Sequence, residues 1–466
     1  MKRTRKTIVS VALATSLALS VSSTYTAAAP VAQTSSSQAY YNAVDKKVIN
    51  KINVENIYND IDFLAKTPRV AGTEAEHKAA LYVQKQLNSF GYDAKLEPFK
   101  FVGYTEASKV ELSVDGTSYS PSSFTYSVSG NVNAEVVYAG LGTKEELANQ
   151  DLTGKIALIQ RGSITFGEKV LNAAQKGAKA VIIYNNAEGE LNGTLGGAND
   201  LYVPAVSLSK AAGEQLLEKV KAGSVTATVT IEGAEVSERT SYNVTATKAP
   251  TEKKRNTDDI IVIGAHHDSV EGAPGANDDA SGTAMVIELA RVLKSLPTDT
   301  ELRFVTFGAE ELGLIGSHEY VDGLSQDEKD RIVGMFNLDM VGSRDAGDLV
   351  LKTADGKANF VTELSQASSL RLNGVATPYA EGGRSDHVPF AEAGIPAALF
   401  IHDPSEPWYH TPEDTIDKIS KEKLQDVAEI VGTAVYDRAR PDHKGPKAQK
   451  GQSFKAPELY YQQDSK

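Results

Sequence analysis

A series of histidine and carboxylate clusters follows apolar runs in the second half of this chain. Ile260-Ile261-Val262-Ile263 leads into Gly264-Ala265-His266-His267-Asp268, and Leu302 to Phe307 leads into Gly308-Ala309-Glu310-Glu311. Gly334 to Leu338 precedes Asp339, and Ala397 to Ile401 precedes His402-Asp403, with Tyr409-His410 close behind. Between the first two clusters lies Gly275-Ala276-Asn277-Asp278-Asp279-Ala280-Ser281-Gly282. Neutral imidazole with carboxylate is the ligand set expected for Zn²⁺ where thiolates are absent, whereas an all-oxygen set points to Mg²⁺ or Ca²⁺. The chain has 0 cysteines and no His-Glu-x-x-His pair, so such a site must be assembled from several segments. The clusters offer more ligands than one tetrahedral ion accepts, so two metals sharing a carboxylate is the economical arrangement. Modulation by Ca²⁺ is not readable from these residues.

The elements that must position the clusters alternate strand and helix. Ile260 to Ile263 is a continuous apolar run, as a strand buried on both faces requires. Ala280 to Leu293 follows with Val286, Leu289, Ala290 and Leu293 at helical core spacing. Further strands are predicted at 302–307, 334–338 and 397–401. In an open α/β sheet ligands bind beyond the carboxyl ends of the strands, so this alternation brings separate clusters to one place. Upstream, Val54, Ile57, Ile61 and Leu64 predict a helix, Glu74 to Phe90 predicts another, and Asp93 to Glu97 reads as a strand. The glycine-punctuated region between these halves has its own strands at 155–159 and 180–184, a helix from Glu168 to Lys176, and no catalytic cluster.

The N-terminus carries Lys2, Arg3, Arg5 and Lys6, an apolar run from Ile8 to Leu19 and Ala27-Ala28-Ala29, which predicts a secretory signal peptide over 1–28. The Ser-rich stretch Gln33 to Gln38 reads as a flexible leader, and 441–466 as a polar, flexible tail. The expected place of action is outside the cell. With 48 basic against 61 acidic residues and a net charge of −13, the chain offers no basic stripe for nucleic acid or an anionic membrane. Nothing in it demands an obligate protein partner.

Tyr138-Ala139-Gly140, Leu152-Thr153-Gly154-Lys155-Ile156-Ala157, Arg161-Gly162, Gly177-Ala178 and Val203-Pro204-Ala205-Val206 resemble a protease-associated (PA) domain. The clusters described above resemble, in order, the motifs of the M28 metallopeptidases, closest to the secreted Bacillus-type leucyl or arginyl aminopeptidases. The resemblance implies an α/β fold, a three-layer zinc-exopeptidase (phosphorylase/hydrolase-like) sheet interrupted by a mainly-β PA domain. It divides the chain into a first peptidase part at 40–130, the PA insertion at 131–235 and a second peptidase part at 240–440.

Residue by residue, the resemblance makes His266, Asp278, Glu311, Asp339 and His410 ligands of two Zn²⁺ per subunit, with Asp278 bridging. It makes Glu310 the general base, Asp268 the partner that orients His266, and Tyr409 a donor to the oxyanion. Asp278 could instead cap the following helix, a role open equally to Asp279 or Ser281. His267, His318 and His402 match no ligand position, and Arg384-Ser385-Asp386-His387 falls beside the site. The implied substrates are peptide and protein N-termini, with Leu or a basic residue first. Rival activities are a carboxypeptidase, for which Arg384 would supply the cation, a glutaminyl cyclase, or a binding module that has lost catalysis.

Overall fold

The computed structural model describes residues 35–443. The predicted signal peptide and the tail beyond His443 lie outside the described residues. In place of a flexible leader, a helix begins at Ser35 and runs to Ile49. It forms because Val44 and Val48, one helical turn apart, bury into the core where the helix packs on the C-terminal helix Lys421–Ala439.

Two eight-stranded sheets carry the chain. Strand β1 (Lys95–Thr105) leads out of the first sheet. The second sheet then takes β2 (Lys109–Val114), β3 (Thr117–Tyr119), β4 (Ser122–Ser123), β5 (Gly130–Tyr138), β6 (Ile156–Gln160), β7 (Ala180–Tyr184), β8 (Ala205–Leu208) and β9 (Thr226–Glu232). Strand β10 (Glu235–Lys248) returns to the first sheet, which is completed by β11 (Ile260–His266), β12 (Glu301–Phe307), β13 (Ile332–Leu338), β14 (Asp348–Thr353), β15 (Tyr379–Glu381) and β16 (Ala397–Asp403).

In the first sheet the order is β1-β10-β12-β11-β13-β16-β14-β15, and its four central strands are parallel. Alternate residues of β11 enter two different cores. Ile261, Ile263 and Ala265 face the helices Val54–Leu64, Ala280–Lys294 and Lys421–Ala439, while Ile260 and Val262 join Val305, Met335 and Phe390 on the opposite face. This two-sided burial is what an unbroken apolar strand requires, and it produces three layers. Among the described residues no helix is long and apolar enough to cross a membrane.

The second sheet has the order β3-β2-β9-β5-β6-β7-β8-β4, so it begins at Lys109, ahead of residue 131. The reason is a tight hairpin: Asp115 and Gly116 both have positive φ, 47° and 80°, and set Val114 opposite Thr117. The chain enters and leaves this sheet along one antiparallel ribbon, paired continuously from Lys95 with Thr245 to Thr105 with Glu235.

Candidate active site and metal centre

The four central strands deliver the clusters to a common edge. His266 is the last residue of β11, Glu310 and Glu311 follow β12, Asp339 follows β13, and the loop after β16 returns His410. Asp278 arrives from the loop ahead of the helix Ala280–Lys294, and its peptide bond to Asp279 is cis. Asp279 caps that helix, accepting from Gly282 N–H at 2.8 Å, and also accepts from His266 N–H at 3.2 Å and Met340 N–H at 3.2 Å. The capping role therefore falls to Asp279, which leaves the Asp278 side chain free for the site.

Asp278 stands between two histidines. Its Oδ1 lies 3.2 Å from His266 Nε2 and its Oδ2 lies 3.1 Å from His410 Nε2. Two groups capable of holding an ion share it: His266, Asp278 and Asp339 form one, and Asp278, Glu311 and His410 form the other. His266 Nε2 is 3.7 Å from Asp339 Oδ1, and His410 Nε2 is 3.0 Å from Glu311 Oε2. Glu310 belongs to neither group, with its Oε2 3.8 Å from His266 Nε2.

The opposite edge of the His266 ring faces Asp268, with Nδ1 3.5 Å from Oδ1. Asp268 is fully buried and accepts from two successive amides, Glu310 N–H at 3.1 Å and Glu311 N–H at 3.2 Å. One carboxylate thus ties the end of β11 to the turn after β12.

Electrostatically the site is dominated by carboxylates around two histidines. Burial opposes a charge on His266, yet Glu310, Asp268, Asp278 and Asp339 outweigh it and raise its pKa. His410 behaves alike, pushed up to about 10 by Asp278 and Glu311 against its burial. Burial and the Asp278 charge drive Glu311 up to about 7. Glu311 Oε1 and Asp339 Oδ1 are buried without a hydrogen-bond partner. Orphaned carboxylate oxygens of this kind at a converging point fit cations that would coordinate them.

Tyr409 stacks on the His410 ring, with centroids 3.8 Å apart and planes 25° from parallel, and burial among carboxylates raises its pKa. It borders a cleft of about 1380 Å³ that runs between the sheets. Val70, Ser269, Glu271, Glu311 and His410 line one wall, and Arg161, Thr165, Phe166 and Thr194 of the second sheet line the other.

The sequence profile of peptidase family M28 matches residues 243–435, and that of the PA domain matches 132–216. Aminopeptidase YwaD of Bacillus subtilis is 40% identical over 417 residues, covering 87% of this chain and 89% of that protein. The structure of an aminopeptidase from Aneurinibacillus sp. strain AM-1 superposes with a TM-score of 0.80 at 57% identity, covering 86% of this chain and 98% of that one. The zinc aminopeptidase BSAP from Bacillus subtilis superposes with a TM-score of 0.69 at 40% identity, covering 84% and 97%. The chain belongs to peptidase family M28.

It is an aminopeptidase of that family, built on the M28 α/β fold with an inserted PA domain. Of the other residues singled out, His267 sets Nδ1 3.2 Å from the Thr306 hydroxyl, and neither it nor His318 or His402 enters a metal-holding group. Asp386 is fully buried and is likewise in neither group, and burial lifts its carboxyl to about 7 against the pull of His266. Arg384 is exposed and lies off the cleft lining, a poor place for the cation of a carboxypeptidase.

Residues that no motif flagged support the M28 site from behind. Asp414 accepts from Asn277 N–H at 2.8 Å and Asp278 N–H at 3.0 Å, and Glu406 accepts from Asn277 Nδ2 at 2.7 Å. Arg69, buried, donates to the carbonyls of Leu64, His267, Pro274 and Gly275, fixing the loop that ends at Asp278. Ala309, Met340 and His410 all have left-handed backbones, with φ of 54°, 57° and 58°. Such non-glycine residues cluster where a site must be aimed.

Proposed function

We propose that this aminopeptidase holds two zinc ions at His266, Asp278, Glu311, Asp339 and His410 and removes single residues from the free N-termini of peptides outside the cell. The observation that carries the reading is Asp278, whose two oxygens face the two histidines at 3.2 and 3.1 Å. Bound zinc supplies hydroxide near neutral pH by lowering the pKa of water.

The chain's own residues do the rest. Glu310, in neither metal-holding group, takes the proton of the attacking water and returns it to the leaving amine. The Tyr409 hydroxyl donates to the oxyanion that develops at the first carbonyl. Asp268 fixes the tautomer of His266 through the ring nitrogen that faces away from Asp278. Glu106 and Glu271 line the cleft beside Leu312 and Val270, a setting suited to a basic or leucyl first residue. The basic and apolar N-terminal pattern supports export. We take the inserted domain as the whole second sheet, residues 109–232, acting as a wall that limits long or folded substrates.

The test pairs metal with substrate. Chelation should abolish hydrolysis of aminoacyl-nitroanilides and Zn²⁺ should restore it, while an N-terminally blocked peptide stays intact throughout. Full activity with metal verified absent overturns the zinc centre, and cleavage of the blocked peptide overturns the requirement for a free amine.

A further inference from the structure

Glu76 lies far from the matched M28 segment in sequence, yet it reaches the back of the active site. It sits in the first turn of the helix Glu74–Ser89 and is fully buried. One carboxylate oxygen stays local and accepts from Gly72 N–H at 2.6 Å. The other leaves the helix, accepts a hydrogen bond from the Ser241 hydroxyl of β10 and lies 3.9 Å from His267 Nε2. The Ala309 backbone amide faces the same carboxylate.

The packing is tight at this point. A Cβ on Gly308 would stand 2.2 Å from Ser241 Oγ and 2.7 Å from Glu76 Oε1, so only glycine lets the turn rest against this pair. Ala309 follows with a left-handed backbone, and then come the Glu310 and Glu311 amides held by Asp268. Three successive amides, of residues 309 to 311, are therefore gripped by two buried carboxyl groups, Glu76 from one side and Asp268 from the other. Asp268 also faces His266, whereas within this turn Glu76 meets the Ala309 amide at its base.

We infer that Glu76 is a positioning residue for catalysis: with Ser241 it pins the Gly308-Ala309 turn and so aims the Glu310 carboxylate at the reacting water. The inference rests on Glu310 being the general base. A displacement of about 1 Å in such a group costs on the order of 100-fold in rate, so a carboxylate that never touches substrate can still govern turnover.

The experiment compares Glu76→Gln, Ser241→Ala, Glu310→Gln and the double variant Glu76→Gln/Glu310→Gln in the zinc-loaded full chain. Zinc content, thermal unfolding midpoint, kcat and KM are measured on each with an aminoacyl-nitroanilide. Glu76→Gln should lower kcat by about 10- to 100-fold with zinc content retained and KM within about threefold. The double variant should be no slower than Glu310→Gln alone, because Glu76 acts through a group already disabled. Wild-type kcat in Glu76→Gln, loss of zinc in step with kcat, or a double variant showing the full product of both losses each overturns the inference. Should Glu76→Gln fail to fold, Ser241→Ala decides: a kcat lowered severalfold and silent in the Glu310→Gln background supports the inference, and an unchanged kcat overturns it. Should Glu310→Gln itself keep full turnover, the general-base assignment falls and this inference falls with it.

Discussion

Both sheets of this protein contain a run of parallel strands, and only one of them bears chemistry. In the first sheet, β12, β11, β13 and β16 end in or lead to Glu310-Glu311, His266, Asp339 and His410. In the second, β6, β7 and β8 lead into Arg161-Gly162, Asn185-Asn186 and Ser209-Lys210, and neither metal-holding group draws on them. The topology supplies the same kind of edge twice. What separates the two is the residues placed there, so fold and site are distinct levels of argument. Buried charge divides in the same way. The first sheet gathers carboxylates of which single oxygens, Glu311 Oε1 and Asp339 Oδ1, lack a hydrogen-bond partner, whereas the second buries Lys169 with its amine on the Leu141 and Gly162 carbonyls at 2.5 and 2.6 Å. One is an unfinished electrostatic arrangement that calls for a ligand. The other is complete.

The sharpest way to break this contrast is at Glu310 and Glu311. Glu310→Gln keeps the shape and removes the proposed base, so turnover should fall by roughly two to four orders of magnitude with zinc still bound. Glu311→Gln removes a proposed charged ligand, so zinc content should fall and residual activity should depend on added zinc. Measuring metal and turnover together on both variants checks the assignment, and the opposite pattern reverses the two roles.

Next in size is removal of the second sheet. Because Thr105 pairs with Glu235, a short Asn-Gly turn can join them in place of residues 106–234. The shortened chain should hydrolyse aminoacyl-nitroanilides at a rate within about tenfold of the full chain while cleaving long peptides relatively better. A folded deletion variant that binds no zinc would make the second sheet integral to the site.

Lys169→Met strips the donor from two part-buried carbonyls and should destabilise the inserted domain by about 1–3 kcal/mol. Calorimetry should show one melting component moving, with hydrolysis of aminoacyl-nitroanilides at low temperature unchanged.

The smallest effect concerns Asp60, in the helix Val54–Leu64. Burial raises its carboxyl from 3.8 to about 6, against the Tyr82 hydroxyl that donates to it at 2.6 Å. The folded state then holds this proton more tightly than the unfolded state. Its contribution to stability is greatest at low pH and is lost as pH rises from 3.8 to about 6. Asp60→Asn should raise stability above that window by roughly 1–3 kcal/mol and leave it unchanged near pH 3.5. Equal shifts in the unfolding midpoint at both pH values would exclude the mechanism.

The strand ends of the first sheet were legible in the sequence because an apolar run stops and ligand-type residues begin, a signal contained within a few positions. Arg69, Glu76, Glu406 and Asp414 carried no such signal. Their partners are backbone groups and side chains far along the chain, as when Asp414 accepts from Asn277 and Asp278. A charged residue in a solvent-facing pattern looks the same until the fold buries it. The start of the second sheet at Lys109, ahead of the expected 131, went unread, although Asp115-Gly116 is a dipeptide that favours a hairpin turn. Its pairing with β9, more than a hundred residues later, was not legible. The left-handed backbones at Ala309, Met340 and His410 had no glycine to announce them.

The ribbon of β1 and β10 has a thermodynamic consequence. The second sheet is tethered at two points that face one another, so if it melts, the first sheet carries a closed disordered loop. The entropy of closing such a loop grows only by about 0.6 kcal/mol for each doubling of its length. The host can therefore remain folded around a molten insert at little further cost. Loss of the host's ribbon, by contrast, separates the two ends that seat the insert over the cleft. If the insert melts first and is the wall proposed above, heating should cost the chain its discrimination between short and long substrates before its turnover of short ones.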